Sequence, residues 1–150
     1  MTFALSLSPE HGYVLLTSAA VSVQCFLSAA AVSSLRKKFN VPYPDSGDGR
    51  HAAKLSDEQW EQFHNAQRAH RNYTEQVGVT QSLLLAAGIL HPKVATGLGL
   101  AYIAGRQLYY HGYVNQGPSG RVYGVLLLDG GLIGLLGTLI YSGLSLAGFI

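Results

Sequence analysis

The stretch FHNAQRAHRNYTE, residues 63–75, leads into the apolar stretch VGVTQSLLLAAGIL, residues 77–90, with no turn signal between them. A continuous helix across this junction places Arg68, Asn72 and Glu75 on one face, because residues at i, i+4 and i+7 share a face. A surface helix has no need to align these three groups where its sequence becomes apolar, so they indicate a ligand site. The stretch therefore predicts a membrane protein with a polar site near one membrane boundary.

The composition favours a small integral membrane protein. The chain has 150 residues, of which 48% are hydrophobic and only 12% are charged. Its mean hydropathy is positive, and the charges cluster between long apolar runs. The formal net charge of +2 is too small and too confined to connecting segments to indicate nucleic-acid binding.

The first apolar run, residues 13–35, contains no charged residue. At about 1.5 Å per residue, a helix of this length crosses a hydrocarbon core of about 30 Å. A cleaved signal peptide is the alternative, but its positive charges would precede the apolar run, whereas Arg36, Lys37 and Lys38 follow it. We therefore expect a retained first membrane helix.

Local signals place three further helices. Ser56 and Gln59 form a capping-box pattern at the start of the second helix, and Pro92 suits the first turn of the third. Gly97, Ala101 and Gly105 in the third run, and the pair Gly130 and Gly134 in the last, are small residues at a spacing that lets membrane helices approach closely. We predict one all-α integral membrane domain over residues 1–150, a four-transmembrane-helix bundle with helices at about 10–38, 57–90, 92–115 and 121–148.

The basic residues predict the orientation. Six lie in the first and third connections and their flanks, and only Lys93 lies on the opposite side. By the positive-inside rule, both longer connections face the cytosol and both termini lie on the other side.

A second polar face completes the expected site. Arg106, Tyr109 and Tyr113 share one face of the third helix, and Arg121 follows the next short connection. Several basic groups at one level favour an anionic ligand. Glutathione fits, with two carboxylates, an amine and a thiol, but a phospholipid headgroup or a nucleotide would satisfy much of the same set.

Five segments carry a resemblance to a known family: EHGYVLLT (10–17), RKKFNVPYP (36–44), residues 63–75, HPKVATGLGLAYIAGRQLYYHGY (91–113) and GPSGR (117–121). The motifs QRAHxNxxE and GRxLYxxGY occur in that order. On these motifs the chain resembles the membrane-associated proteins in eicosanoid and glutathione metabolism, the MAPEG family.

The resemblance implies a homotrimer that binds glutathione between neighbouring subunits near the cytosolic face, and it suggests that the wall of Arg106, Tyr109, Tyr113 and Arg121 comes from a neighbouring subunit. Arg121 matches the arginine thought to stabilise the glutathione thiolate and is the expected catalytic residue. The implied glutathione-binding residues are Arg36, Lys37, Arg68, His70, Asn72, Glu75, Arg106, Tyr109 and Tyr113.

The activity implied by the resemblance is that of a glutathione transferase and glutathione-dependent peroxidase. Its partners would be glutathione as co-substrate, a lipophilic electrophile or lipid hydroperoxide, and membrane lipid, and no metal is expected. Leukotriene-C-synthase-like conjugation is one form that the transferase activity could take. The expected location is the endoplasmic reticulum or the outer mitochondrial membrane. The alternative is a non-catalytic lipid-binding scaffold of the lipoxygenase-activating type.

Two positions depart from the family pattern. Gln76 stands where relatives carry a tyrosine, so the contacts at that position are open. Asp129 falls where relatives are uncharged, and it is expected to be protonated, paired with an arginine such as Arg121, or water-facing.

Overall fold

The computed structural model describes residues 6–150, and the regular structure within this range is helical throughout. The four long helices are α1 Pro9–Phe39, α2 Asp57–Leu90, α3 Pro92–Gln116 and α4 Val122–Leu146. Two short 3-10 turns, Ala52–Lys54 and Gly117–Ser119, lie in the connections. These bounds fall within two residues of the predicted ones, and the prediction of four helices is confirmed.

The helix ends follow from local chemistry. At the start of α2, Gln59 donates its backbone N–H to the Ser56 hydroxyl, and Ser56 donates its backbone N–H to the Gln59 side chain, both at 3.3 Å. This is the predicted capping box. Pro92 begins α3 immediately after His91, also as predicted. Asn40 ends α1 in the left-handed conformation, with φ at 52°, which asparagine tolerates better than most residues.

Two of the four helices, α1 and α4, are long and apolar enough to cross a membrane. Their outward faces carry large apolar side chains, and Phe26 and Leu126 are 76% and 69% exposed. Within the described residues, α2 and α3 are less apolar and do not count as candidate membrane spans by length and hydropathy, because they carry most of the polar residues of the bundle.

The centre of the bundle is an aromatic cluster to which all four helices contribute. Tyr73 of α2 and Tyr102 of α3 meet edge to face, with ring centroids 6.2 Å apart. The cluster consists of Val21, Ala69, Tyr73, Tyr102, Tyr109, Tyr113 and Leu128. It fixes α3 so that Tyr109 and Tyr113 lie beside the polar half of α2.

Glycines set the close approach of α3 and α4, but not all at the predicted positions. A Cβ atom added at Gly105 would lie 2.4 Å from the backbone nitrogen of Leu128, so the stripe prediction is confirmed there. At Gly97 and Gly130 an added Cβ meets nothing within 4 Å in the described chain, so the prediction is wrong for packing within one chain. Gly124 and Gly131 of α4 instead pack against the α3 backbone, because the helix crossing and not the four-residue spacing decides which glycines meet a neighbour.

Polar side chains tie α1 to the rest of the bundle. Gln81 of α2 accepts from the Ser18 hydroxyl at 2.7 Å and donates to the Ser18 carbonyl at 2.8 Å. Nearer the site, the Tyr73 hydroxyl donates to Gln24 Oε1 at 2.7 Å. Interhelical hydrogen bonds of this kind hold helices together in lipid, where apolar burial drives association little.

Candidate functional site

A cleft with three arginines opens between α2, α3 and the start of α4. Its cavity volume is about 50 Å³, well below the roughly 300–1,000 Å³ typical of ligand pockets, so it is a small cleft in the single chain. We call it the arginine cleft, and its lining residues are Arg68, Arg71, Asn72, Glu75, Tyr109, Tyr113 and Arg121. Six of these seven are residues that the sequence predicted.

The α2 wall has the predicted face. Arg68, Asn72 and Glu75 all line the cleft, because α2 is continuous from Asp57 to Leu90 across the change from polar to apolar sequence. Arg71 also lines it, and its Nε lies 3.5 Å from Glu75 Oε1. Sequence reasoning missed Arg71, although its i,i+4 spacing to Glu75 was a signal for it. Both partners of this ion pair are more than half exposed, so it contributes little to stability.

The opposite wall comes from α3 and α4. Tyr109 and Tyr113 are 4% and 5% exposed, and their ring centroids lie 5.7 Å apart. The Arg121 guanidinium carbon lies 5.5 Å from the centre of the Tyr113 ring, a cation–π contact that orients it. In the single chain both walls line one cleft.

Arg106 lies behind the cleft and does not line it. The side chain is 2% exposed, and it donates from Nε to the Tyr102 hydroxyl at 2.8 Å and from Nη1 to Asn72 Oδ1 at 2.7 Å. Its Nη2 donates to the Asn72 carbonyl at 3.4 Å and to the Gln76 side-chain oxygen. Arg106 therefore positions Asn72. Gln76, the residue that departs from the family pattern, accepts a hydrogen bond from Arg106.

Arg36, Lys37 and His70 lie away from the arginine cleft. Arg36 is 8% exposed and donates to the backbone carbonyls of Val41 and Asp45, at 3.3 and 2.5 Å. Lys37 is exposed in the last turn of α1. His70 faces α1, where its Nδ1 lies 2.7 Å from the Ser28 hydroxyl. Within one chain, these three residues do not meet the other predicted contacts.

The connection between α1 and α2 is folded around a buried carboxylate. Asp45 Oδ1 accepts from the N–H groups of Gly47 and Gly49, and Oδ2 accepts from those of His51 and Ala52, all at 2.9–3.0 Å. Desolvation raises the pKa of Asp45, but these four hydrogen bonds to the charged form outweigh it and lower the pKa to about 2. Arg36 holds the same connection through the Asp45 carbonyl, so it acts there as a structural residue.

Asp129 has no basic partner in the described part of the chain. Among residues 6–150 the ion pairs are Arg71 with Glu75 and Lys93 with Glu10. The predicted alternative of an Asp129–Arg121 pair is therefore wrong for the single chain.

A wider depression adjoins the arginine cleft near the connection between α3 and α4. Its volume is about 720 Å³, and it shares Arg68 and Tyr113 with the arginine cleft. Trp60 and His64 line it and stack with ring centroids 4.4 Å apart. The sequence did not predict this depression, because its walls are 50 residues apart in the chain and carry no shared motif.

The chemistry of the arginine cleft favours an anion. Three guanidinium groups face one carboxylate, and Asn72 adds an amide beside them. Guanidinium groups bind carboxylates through charge-assisted hydrogen bonds, and a carboxylate such as that of Glu75 binds an ammonium group. Within residues 6–150 there is no group of three or more His, Cys, Asp or Glu side chains that could hold a metal ion.

Comparison with known protein families gives a match over most of the chain. The family model described as the MAPEG family matches residues 14–141. The matched part includes every residue of the arginine cleft and all of the four helices except the start of α1 and the end of α4.

Proposed function

Because the chain belongs to the MAPEG family, whose members act in glutathione-related or eicosanoid metabolism, we propose that it is a membrane-bound glutathione transferase with glutathione peroxidase activity. Within the family we propose that it is most similar to the type-three microsomal glutathione transferases, and that leukotriene-C-synthase-like conjugation is one of its reactions. The family also contains non-enzymatic members, so the proposal depends on the site. The observation that carries it is the assembly of Arg68, Asn72, Glu75, Tyr113 and Arg121 around one cleft.

Each part of glutathione has a complementary group in the arginine cleft. In the proposed pose, Arg68 and Arg71 bind the two carboxylates and Glu75 binds the amine. Asn72 hydrogen-bonds the peptide backbone of the ligand, and Arg106 holds the Asn72 oxygen in place from behind. The thiol then lies towards Arg121, whose guanidinium is oriented by Tyr113.

Arg121 supplies the proposed catalytic step. A cysteine thiol has a pKa near 8.5, so only a few per cent is thiolate at neutral pH. Lowering this pKa by about two units requires roughly 2.7 kcal/mol of preferential stabilisation of the thiolate, which a guanidinium in a partly desolvated site can provide. The thiol proton passes to water.

The thiolate then reacts with a lipophilic partner. Attack on an electrophilic carbon forms a carbon–sulfur bond and gives the conjugate, while a leaving group such as chloride departs with its electron pair. With an epoxide, the C–O bond breaks instead and the resulting alkoxide takes a proton. With a lipid hydroperoxide, the thiolate sulfur bonds to the terminal oxygen and the O–O bond breaks. The lipid alkoxide then takes a proton to give the alcohol. A second glutathione displaces hydroxide from the resulting sulfenic acid, so two glutathiones are oxidised to one disulfide and the hydroperoxide is reduced.

The proposed assembly is a homotrimer of four-helix membrane subunits. At about 1.5 Å per residue, α2 and α3 are each long enough to cross the bilayer beside α1 and α4. Arg36, Lys37 and His70 do not line the cleft of their own chain. In this proposal they contact glutathione bound at a neighbouring subunit, and Arg36 does so in addition to holding the connection between α1 and α2. The cleft faces the cytosol, in the endoplasmic reticulum or the outer mitochondrial membrane.

The test uses the purified chain in nanodiscs. Glutathione binding is measured by equilibrium dialysis, thiolate formation by ultraviolet absorbance, and turnover with chlorodinitrobenzene and with a fatty-acid hydroperoxide. We expect saturable glutathione binding and at least one of the two reactions. A chain that binds neither glutathione nor its conjugates, and turns over neither substrate, would leave the lipid-binding scaffold as the better assignment.

A further inference from the structure

A second crevice opens between α1 and α3 and shares no lining residue with the arginine cleft. Its cavity volume is about 190 Å³. Gln24, Leu27 and Ala31 of α1 line it on one side, and Arg106, Gln107 and Tyr110 of α3 line it on the other. Arg106 is absent from the lining of the arginine cleft, so the small exposed part of its side chain opens into this α1–α3 crevice.

The guanidinium of Arg106 brings an uncompensated charge to the crevice. Its hydrogen bonds go to the neutral oxygens of Tyr102, Asn72 and Gln76, and neither ion pair among residues 6–150 includes it. These four bonds leave one of its five N–H groups free. Neutral acceptors fix the position of the cation but do not cancel its charge. An anion in the crevice would therefore gain a charge-assisted hydrogen bond in a desolvated setting.

The walls of the crevice differ in polarity. Leu27 and Ala31 lie on α1, a helix apolar enough to cross a membrane, and Leu27 is 59% exposed. The opposite rim carries the Gln107 amide and the Tyr110 hydroxyl, and Gln107 accepts from Gln24 Nε2 at 3.0 Å. A ligand that satisfies both walls has an anionic head and a hydrocarbon body.

We propose that the α1–α3 crevice binds a long-chain fatty acid, with its carboxylate on Arg106 and Tyr110 and its hydrocarbon chain along Leu27 and Ala31. The volume of the crevice accommodates the head and the first part of the chain, and the remainder lies on the exposed apolar surface of α1. This site does not depend on glutathione and goes beyond the proposed transferase activity.

The test is photolabelling in nanodiscs without glutathione. The probe is an oleate analogue with a diazirine in its chain, and the labelled peptides are mapped by mass spectrometry. Oleate and oleyl alcohol serve as competitors that differ in charge but share the chain. We expect saturable labelling of peptides around Leu27 and Ala31. Oleate should displace the probe at a concentration at least about tenfold lower than oleyl alcohol does, since hydrogen bonds to a charged group contribute roughly 1.5–3 kcal/mol.

Three variants locate the site. Ala31→Phe fills the crevice and is expected to remove the saturable labelling. Tyr110→Phe removes one donor and is expected to weaken competition by oleate about fivefold, without changing that by oleyl alcohol. Tyr141→Phe is the matched control, because Tyr141 is 59% exposed on α4 and does not line the crevice.

Glutathione binding by the same variants separates this proposal from the proposed function, because Ala31 and Tyr110 do not line the arginine cleft. Unchanged glutathione binding with lost labelling supports a separate fatty-acid site. Labelling that is non-saturable, equally displaced by the alcohol, or unaffected by Ala31→Phe would overturn the proposal, and binding would then be general partition into an apolar surface.

Discussion

Gly105→Ala tests whether the contact between α3 and α4 sets the geometry of the arginine cleft. The new Cβ would lie 2.4 Å from the Leu128 nitrogen and 2.8 Å from its Cα. These are backbone atoms within α4 and cannot rotate away. The helices must separate by roughly 1 Å to reach the 3.4 Å of an ordinary contact.

The expected magnitude follows from two opposing effects. Replacing glycine by alanine inside a helix stabilises it by about 0.5–1 kcal/mol, whereas overpacking costs about 1–3 kcal/mol. Gly97→Ala in the same helix gains the helix stabilisation without the overpacking, because nothing lies within 4 Å of its added Cβ. We therefore expect Gly97→Ala to raise the free energy of unfolding. The free energy of unfolding of Gly105→Ala should be roughly 1–3 kcal/mol lower than that of Gly97→Ala.

The assay is a denaturant titration in detergent, combined with turnover. Gly105 precedes Arg106, so a shift of α3 by about 1 Å also moves Asn72 and Tyr109, and misplacements of this size can lower rates about a hundredfold. Gly130→Ala on α4 is a second control with open space around its added Cβ. Equal stability and turnover in Gly105→Ala and both controls would refute the argument that this contact positions the cleft.

Three further predictions concern single side chains. Arg121→Ala is expected to raise the pKa of bound glutathione by up to about two units while most of the affinity remains; an ultraviolet thiolate titration with no change would remove Arg121 from the catalytic role. Because the pKa of Asp45 is about 2 when folded and near 3.9 when unfolded, its stabilisation is complete above about pH 4 and is lost as the pH falls towards 2. Asp45→Asn, which leaves two N–H groups without an acceptor, is expected to be less stable at neutral pH and to converge with the parent protein in acid denaturation; a constant difference down to pH 2 would contradict this. Gln76→Leu removes a neutral acceptor from the buried Arg106 and is expected to cost about 1–3 kcal/mol of stability. The control is Gln62→Leu near the start of α2, whose amide donates to the Glu58 side chain and not to a buried charge; equal losses would contradict the prediction.

The sequence predicted those features that depend on neighbouring residues. The capping box at Ser56, the proline start of α3 and the shared face of Arg68, Asn72 and Glu75 all arise from helix periodicity and local hydrogen bonds. These interactions span at most seven residues, so they can be read without knowing how the helices pack. The α2 wall of the cleft was therefore predicted almost completely, and only Arg71 was missed.

The remaining features depend on contacts between distant segments. Periodicity placed Arg106 on the face of Tyr109 and Tyr113, but it could not reveal that Asn72 stands between the guanidinium and the cleft. Arg36 is one of three consecutive basic residues, and only the fold of residues 40–55 explains why it alone is buried. In each case the partner is a backbone or side-chain oxygen whose position is set by packing.

Arg106 links the two proposed sites through its charge. A guanidinium that is 2% exposed and bonded only to neutral oxygens retains a positive field that extends into the surrounding low-dielectric interior. On one side this field acts through Asn72 on the arginine cleft, and on the other it acts directly on the α1–α3 crevice. A carboxylate bound in the crevice would partly cancel that field. If both proposed ligands bind, fatty acid in the crevice should therefore raise the pKa of the glutathione thiol, and the reciprocity of binding requires glutathione thiolate to weaken fatty-acid binding by the same factor.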